Sequence, residues 1–145
     1  DPATSPTVWV TLAEIDASVP IPAVSAVTGA HPRDPERFDA GFYRRFYLDP
    51  RTRVVTRGEM ARRADLVAAF VRHGEYPVRR ILDLGCGLGL MRAPLARHFP
   101  RANYTGVEAS EYLCERYGWQ QGSAATFESP KPFDLVICYD VLQYL

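Results

Sequence analysis

The chain has 145 residues, enough for one domain that buries roughly two-thirds of its unfolded surface. Apolar residues make up 47% and charged residues 23%, the balance of a soluble globular domain, and no apolar run reaches the roughly 18 residues a membrane span needs. The formal net charge is +0, which excludes a globally basic nucleic-acid binder and an acidic disordered tail.

The neutral total conceals an asymmetry. Residues 31–101 hold fifteen Arg against eight acids, a local +7, while residues 1–30 carry −3 and residues 102–145 carry −4. Such a layout either steers an anionic ligand or forms a solvated face. Nucleic acid is not expected as a partner, because no base-stacking or groove-reading element accompanies the basic stretch. Cys86, Cys114 and Cys138 are odd in number and share no C-x-x-C spacing. They read as reduced thiols of a cytoplasmic protein, not as a disulfide framework or zinc site. His31, His73 and His98 are scattered, so no metal site is expected. The first thirty residues lack Lys and Arg, and without a basic n-region no secretory signal is read.

Residues 1–33 read as an irregular arm punctuated by Pro2, Pro6, Pro20 and Pro22, with one strand at Val8–Leu12. From residue 34 a helix is expected to 48, started by Asp34-Pro35 and stopped before Pro50, with Phe38, Phe42 and Phe46 on its core face. A second helix is expected over 57–73. Thr56 and Glu59 form its capping box, and Met60, Ala64, Val67 and Val71 form its apolar stripe, widened by Leu66 and Phe70; Gly74 and Pro77 end it. The 79–145 stretch then alternates. A strand at 80–84 and a glycine-rich loop precede a helix at 90–99 in which Pro94 removes one backbone bond. Further strands are expected at 103–108 and 133–138, with a Ser110-capped helix and a short strand at 119–121 between them. Alternating strands and helices make the fold class α/β, with a parallel sheet.

The chemistry concentrates in Asp83-Leu84-Gly85-Cys86-Gly87-Leu88-Gly89, between a strand and a helix. Glycines permit tight turning and let the backbone touch a ligand with no Cβ in the way, while the following helix presents its N–H groups. Glu108, nineteen residues beyond Gly89 at the next strand's end, suits two ribose hydroxyls. A dinucleotide fingerprint needs its last glycine at position 90, which is Leu. Asp83 would also repel a pyrophosphate. An acid there suits a cationic ligand such as S-adenosylmethionine, which carries an ammonium and a sulfonium and no phosphate.

Ile81–Gly89 resembles the first motif of class I (Rossmann-like) S-adenosylmethionine-dependent methyltransferases. Tyr104–Ser110 resembles their second-strand motif, and Phe133–Cys138 with Val141–Leu145 their fourth strand and the stretch after it. The resemblance implies a cofactor site made of Asp83, Gly85, Cys86, Gly87 and Gly89 with Glu108, Ala109, Ser123, Ala124 and Tyr139. Asp83 and the backbone of Gly85 and Gly87 would hold the methionine end. Gly89 would allow close helix packing, Glu108 would bind the ribose and Ala109 would lie against the adenine. Ser123 and Ala124 stand where the family often has an acid, so a backbone N–H would serve the adenine there. Cys86 reads as a small packing residue, not a nucleophile.

The reaction implied is methyl transfer to a small-molecule acceptor, for which the protein mainly positions the partners and excludes water. Tyr139, Asp140 and Tyr144 are the candidates for facing the transferred methyl, with Tyr43, Tyr47 and Arg57 closing the site. The alternatives are a non-catalytic module binding the cofactor or a protein, and an NAD-dependent oxidoreductase. Methyltransferases of this class have seven strands in the order 3-2-1-4-5-7-6, and this sequence stops after the fourth. The resemblance thus implies the N-terminal 3-2-1-4 part, with an exposed fourth-strand edge through which two copies could pair. The Arg-rich, Lys-poor composition suggests a bacterial source of high GC content.

Overall fold

The computed structural model describes residues 8–10 and 38–141. In chain order they form β1 (Val8–Val10), α1 (Ala40–Tyr43) running into a π-helical turn (Arg44–Leu48), α2 (Arg57–His73), β2 (Arg80–Leu84), α3 (Arg92–His98), β3 (Asn103–Glu108), α4 (Glu111–Tyr117), β4 (Gln120–Gln121) and β5 (Leu135–Cys138). The sheet order is β1-β5-β2-β3-β4, and every neighbouring pair is parallel. Leaving out β1, this is the expected 3-2-1-4 order.

The β1 strand falls within the expected 8–12, of which residues 11 and 12 lie outside the described ones. It lies in the sheet, with Val8, Trp9 and Val10 opposite Leu135, Val136 and Ile137. The N-terminal arm therefore contributes an edge strand. The fourth-strand edge expected to be bare is paired, which removes the stated basis for dimerisation through it.

Side-chain alternation along β2 divides the core. Ile81 joins Leu135 and Ile137 beneath Met60, Ala64, Val67 and Val71 of α2 and Leu95 of α3. On the opposite face, Leu82 and Leu84 pack with Val107, Phe133 and Val136. Asp83 shares the face of Ile81, and the register sets it opposite Gly106, so Tyr104, Gly106 and Glu108 of β3 lie on that same face. One side of the sheet therefore carries both Asp83 and Glu108. At the other end of β2, the Asp134 carboxylate accepts from Arg79 N–H and Arg80 N–H, both at 2.8 Å.

The helices depart from expectation in their boundaries and faces. The Asp34-Pro35 start lies outside the described residues; α1 is capped by Asp39, which accepts from Phe42 N–H at 2.8 Å. The helical run ends at Asp49, before Pro50. Phe38, Phe42 and Phe46 are only half-buried and pack on one another; the buried residue of that segment is Tyr43. On α2, Leu66 and Phe70 are 58% and 54% exposed and do not widen the core stripe. Two turns separate Gly89 from α3, which starts only at Arg92. Pro94 consequently falls in the first turn, where its missing N–H costs no helical bond. His98 links α3 to α2 through Asp65 at 2.6 Å and Arg72 at 3.2 Å.

The capping box forms as expected. Thr56 Oγ1 accepts from Glu59 N–H at 3.2 Å, and the Glu59 carboxylate accepts from Thr56 N–H at 2.7 Å. Those hydrogen bonds hold the Glu59 carboxyl below its ordinary pKa. Thr56→Ala is expected to destabilise the protein by about 1 kcal/mol, read as a lower denaturant midpoint at unchanged slope.

Candidate functional site

β2 ends at Leu84, and the chain turns at Gly85, Cys86 and Gly87 across the top of β3. Gly85 N–H and Cys86 N–H donate to the Val107 carbonyl at 2.8 and 3.1 Å. Gly87 N–H donates to Glu108 Oε2 at 2.8 Å, and Gly89 N–H closes a turn onto the Cys86 carbonyl at 2.8 Å. Gly85, Gly87 and Gly89 all have positive φ, at 68°, 53° and 66°, a region that penalises any side chain. A Cβ on Gly85 would strike Val141 at 2.4 Å, whereas one on Gly87 would meet open space. The backbone at Gly87 is therefore open where a side chain would stand. Gly89 packs against a side chain outside α3: its Cβ would lie 2.4 Å from the Trp119 ring.

The loop borders a cleft of about 100 Å³ lined on one side by Asp83, Gly85, Cys86, Gly87 and Leu88. Tyr47, Val54, Met60, Tyr139 and Asp140 also line it. Ligand pockets run roughly 300–1,000 Å³, so this space is small beside one that encloses a whole ligand.

Asp83 is the buried acid of the cleft, at 4% exposure. Its Oδ2 accepts from the Tyr104 hydroxyl. Burial pushes the Asp83 carboxyl up to about 7; the Tyr104 hydrogen bond opposes this and the Glu108 charge adds to it. The Tyr104 phenol is pushed above its ordinary range by burial and by Asp83. Burial, followed by Asp83 and Glu108, also raises the Cys86 thiol, which keeps that sulfur protonated and inert.

Glu108 lies outside the cleft, 6% exposed. Its Oε1 accepts from Ala109 N–H at 2.9 Å and Ser110 N–H at 3.0 Å, besides the Oε2 contact with Gly87. The Tyr43 hydroxyl stands 3.5 Å from Oε1, with the Tyr43 ring held between Tyr47 and Tyr112. Burial, then the Glu108 charge, raises the Tyr43 phenol above its usual range. A carboxylate has about four lone-pair sites, so Oε2 retains capacity, and the Tyr43 contact is the longest that Glu108 accepts.

The structure thus brings Asp83, Gly85, Cys86, Gly87, Tyr139 and Asp140 together on one cleft. Tyr139 sits beneath the Arg63 guanidinium, 5.0 Å from its ring centre, and exposed Asp140 adopts a left-handed conformation with φ 56°. Glu108 and Ala109 lie one loop away. Ser123 and Ala124 are farther along, where Ser123 Oγ accepts from Ala125 N–H at 3.2 Å and Ala124 packs on the second core cluster. Tyr144 falls outside the described residues. Of the closing residues, Tyr47 lines the cleft, Tyr43 covers Glu108, and Arg57 is exposed at the start of α2.

Sequence reasoning missed Tyr104 and Trp119. Tyr104 had no local signal; the signal for Trp119 was Gly106, a lone glycine inside a strand, which marks a close approach. A Cβ there would lie 2.8 Å from both Cys86 Sγ and the Trp119 ring.

A parallel sheet whose first glycine loop carries a buried acid, beside a second strand ending in another, is the Rossmann-like architecture of class I methyltransferases. The comparisons agree: residues 82–145 match the family described as a methyltransferase domain. That segment is thus similar to a methyltransferase domain. A trans-aconitate 2-methyltransferase of Deinococcus radiodurans is 35% identical over 77 residues, 49% of this chain and 30% of its own length. A Pseudomonas paraeruginosa protein of the same name is 31% identical over 77 residues, 48% of this chain and 28% of its own. The matched part thus spans under a third of these relatives' length. Among solved structures, the plantazolicin methyltransferase BpumL, in complex with a pentazolic desmethylPZN analogue and SAH, shares the fold. Its TM-score is 0.52 at 18% identity, over 70% of this chain and 46% of its own.

The raised pKa of Asp83 carries a stability consequence. The unfolded carboxyl ionises near 3.8 and the folded one near 7, so the stabilisation is complete below pH 4 and lost as the pH rises through 7. Asp83→Asn is expected to match the wild type at pH 4 and to exceed it by on the order of a few kcal/mol at pH 8. Denaturant unfolding at the two pH values measures the difference.

Proposed function

We propose that this chain is the cofactor-binding part of an enzyme that transfers the methyl group of S-adenosylmethionine to a small-molecule acceptor. The observation that carries the reading is the Asp83 carboxyl, buried in the cleft wall beside the open face of Gly87. A buried acid next to a glycine loop repels a pyrophosphate and attracts an ammonium and a sulfonium. The names of the curated relatives support the small-molecule acceptor, and the SAH of the fold neighbour's complex supports the cofactor.

When bound, the cofactor supplies a methyl group already activated on sulfur. Asp83 orients the amino end, Gly87 gives backbone access, and Glu108 accepts from the ribose once Tyr43 yields its place. Ala109 lies beside the adenine, with Ser123 and Ala124 at its far edge. Tyr139 and Asp140, following β5 at the mouth of the cleft, face the acceptor, and Asp140 takes its proton where the nucleophile carries one. Arg63, stacked on Tyr139, fixes that ring. No helix among the described residues is long and apolar enough to cross a membrane. Free Cys86, Cys114 and Cys138 fit a cytoplasmic setting, and the sources of the relatives fit a bacterial one.

Calorimetric titration with S-adenosylhomocysteine is expected to show saturable binding, weakened at least tenfold in Glu108→Ala, with no binding of NADH. Binding of NADH at the same site would support the oxidoreductase reading instead. For S-adenosylmethionine, affinity is expected to be on the order of tenfold weaker at pH 5.5 than at pH 7.5, because protonated Asp83 no longer attracts the cation.

A further inference from the structure

The peptide joining Gly87 to Leu88 is oriented from behind by a residue outside the glycine loop. The Trp119 indole N–H donates to the Gly87 carbonyl at 3.0 Å, within ordinary hydrogen-bond length. The indole is itself confined. Its ring fills the spaces left by Gly89 and Gly106, it lies 6.1 Å from the Tyr117 ring, and the Arg92 guanidinium sits 5.6 Å from its centre.

A trans peptide points its C=O and N–H in opposite directions. With the Gly87 carbonyl turned to Trp119, the Leu88 N–H turns the other way, and Leu88 lines the cleft. The turn geometry agrees. Cys86 to Gly89 is closed by the Gly89 N–H bond to the Cys86 carbonyl, with positive φ at Gly87 and not at Leu88. That is the type II′ pattern, which differs from type I′ by a flip of the central peptide. Leu88 resists the alternative, since a bulky side chain is penalised at positive φ.

We infer that Trp119 is a positioning residue that holds the Gly87–Leu88 peptide with its N–H aimed into the cleft, where it donates to the carboxylate at the amino-acid end of the cofactor. The inference rests on the cofactor reading above and adds a receptor for the ligand's one anionic group, beside the Asp83 receptor for its cationic one.

The test compares two probes, S-adenosylhomocysteine and 5′-methylthioadenosine, which lacks the amino-acid end. Trp119→Phe is expected to weaken S-adenosylhomocysteine about tenfold and to leave methylthioadenosine within about twofold. Equal weakening of both probes, or of neither, overturns the inference and leaves the cofactor reading standing. Failure of the wild type to bind either probe overturns that reading, and the inference with it. Replacing Trp119 by benzothienylalanine, which keeps the ring shape and lacks only the N–H, decides the matter should Trp119→Phe not fold. The same tenfold selective loss is expected, and wild-type affinity for both probes would contradict the role.

Discussion

A carboxyl group set into the middle strand of an apolar sheet is the constraint that the site answers. Asp83 is flanked along β2 by Leu82 and Leu84 and shares its face with Ile81, Leu135 and Ile137. Ionisation there is costly unless the charge is met. Within the chain the Tyr104 hydroxyl meets part of it, and what remains raises the pKa to about 7. The protein thus holds an acid whose charge its own groups satisfy only in part, and the proposed function assigns it a cationic partner.

The surrounding architecture keeps that acid addressable. Gly106, opposite Asp83, makes room for Cys86 and Trp119 behind the loop. Glu108, two residues on, draws in the Gly87 N–H and ties the loop to the end of β3. Met60 of α2, with Tyr139 and Asp140 after β5, completes the lining of the cleft. Two acids on adjacent strands therefore divide the work by environment: one is buried with one phenol donor, the other is supplied with three backbone N–H groups.

Much of this was legible in the sequence because it is local. The Thr56–Glu59 capping box, the 80–84 and 133–138 strands, the glycine spacing and Glu108 at a strand end all lie in short windows where residue type and period agree. What was not legible depends on partners distant in the chain. Leu66 and Phe70 have the right helical spacing, but periodicity cannot say which apolar positions find a neighbour, and these two remain exposed. The pairing of Val8–Val10 with β5 joins residues more than 120 positions apart. Tyr43 over Glu108, Tyr104 on Asp83 and Trp119 under Gly87 are likewise contacts between separate elements that only the folded chain brings together. Gly106 was the single local sign that something large had to fit against β3.

Carbon-13 NMR titration of the labelled Asp83 side-chain carboxyl reads the ionisation and its response to ligand directly. A midpoint near pH 7 is expected in the free protein. A fall of more than one pH unit is expected when S-adenosylmethionine is bound and its cationic end lies against the carboxylate. A free-state midpoint near the ordinary carboxylate value, or one that saturating ligand leaves unmoved, would contradict the role given to Asp83.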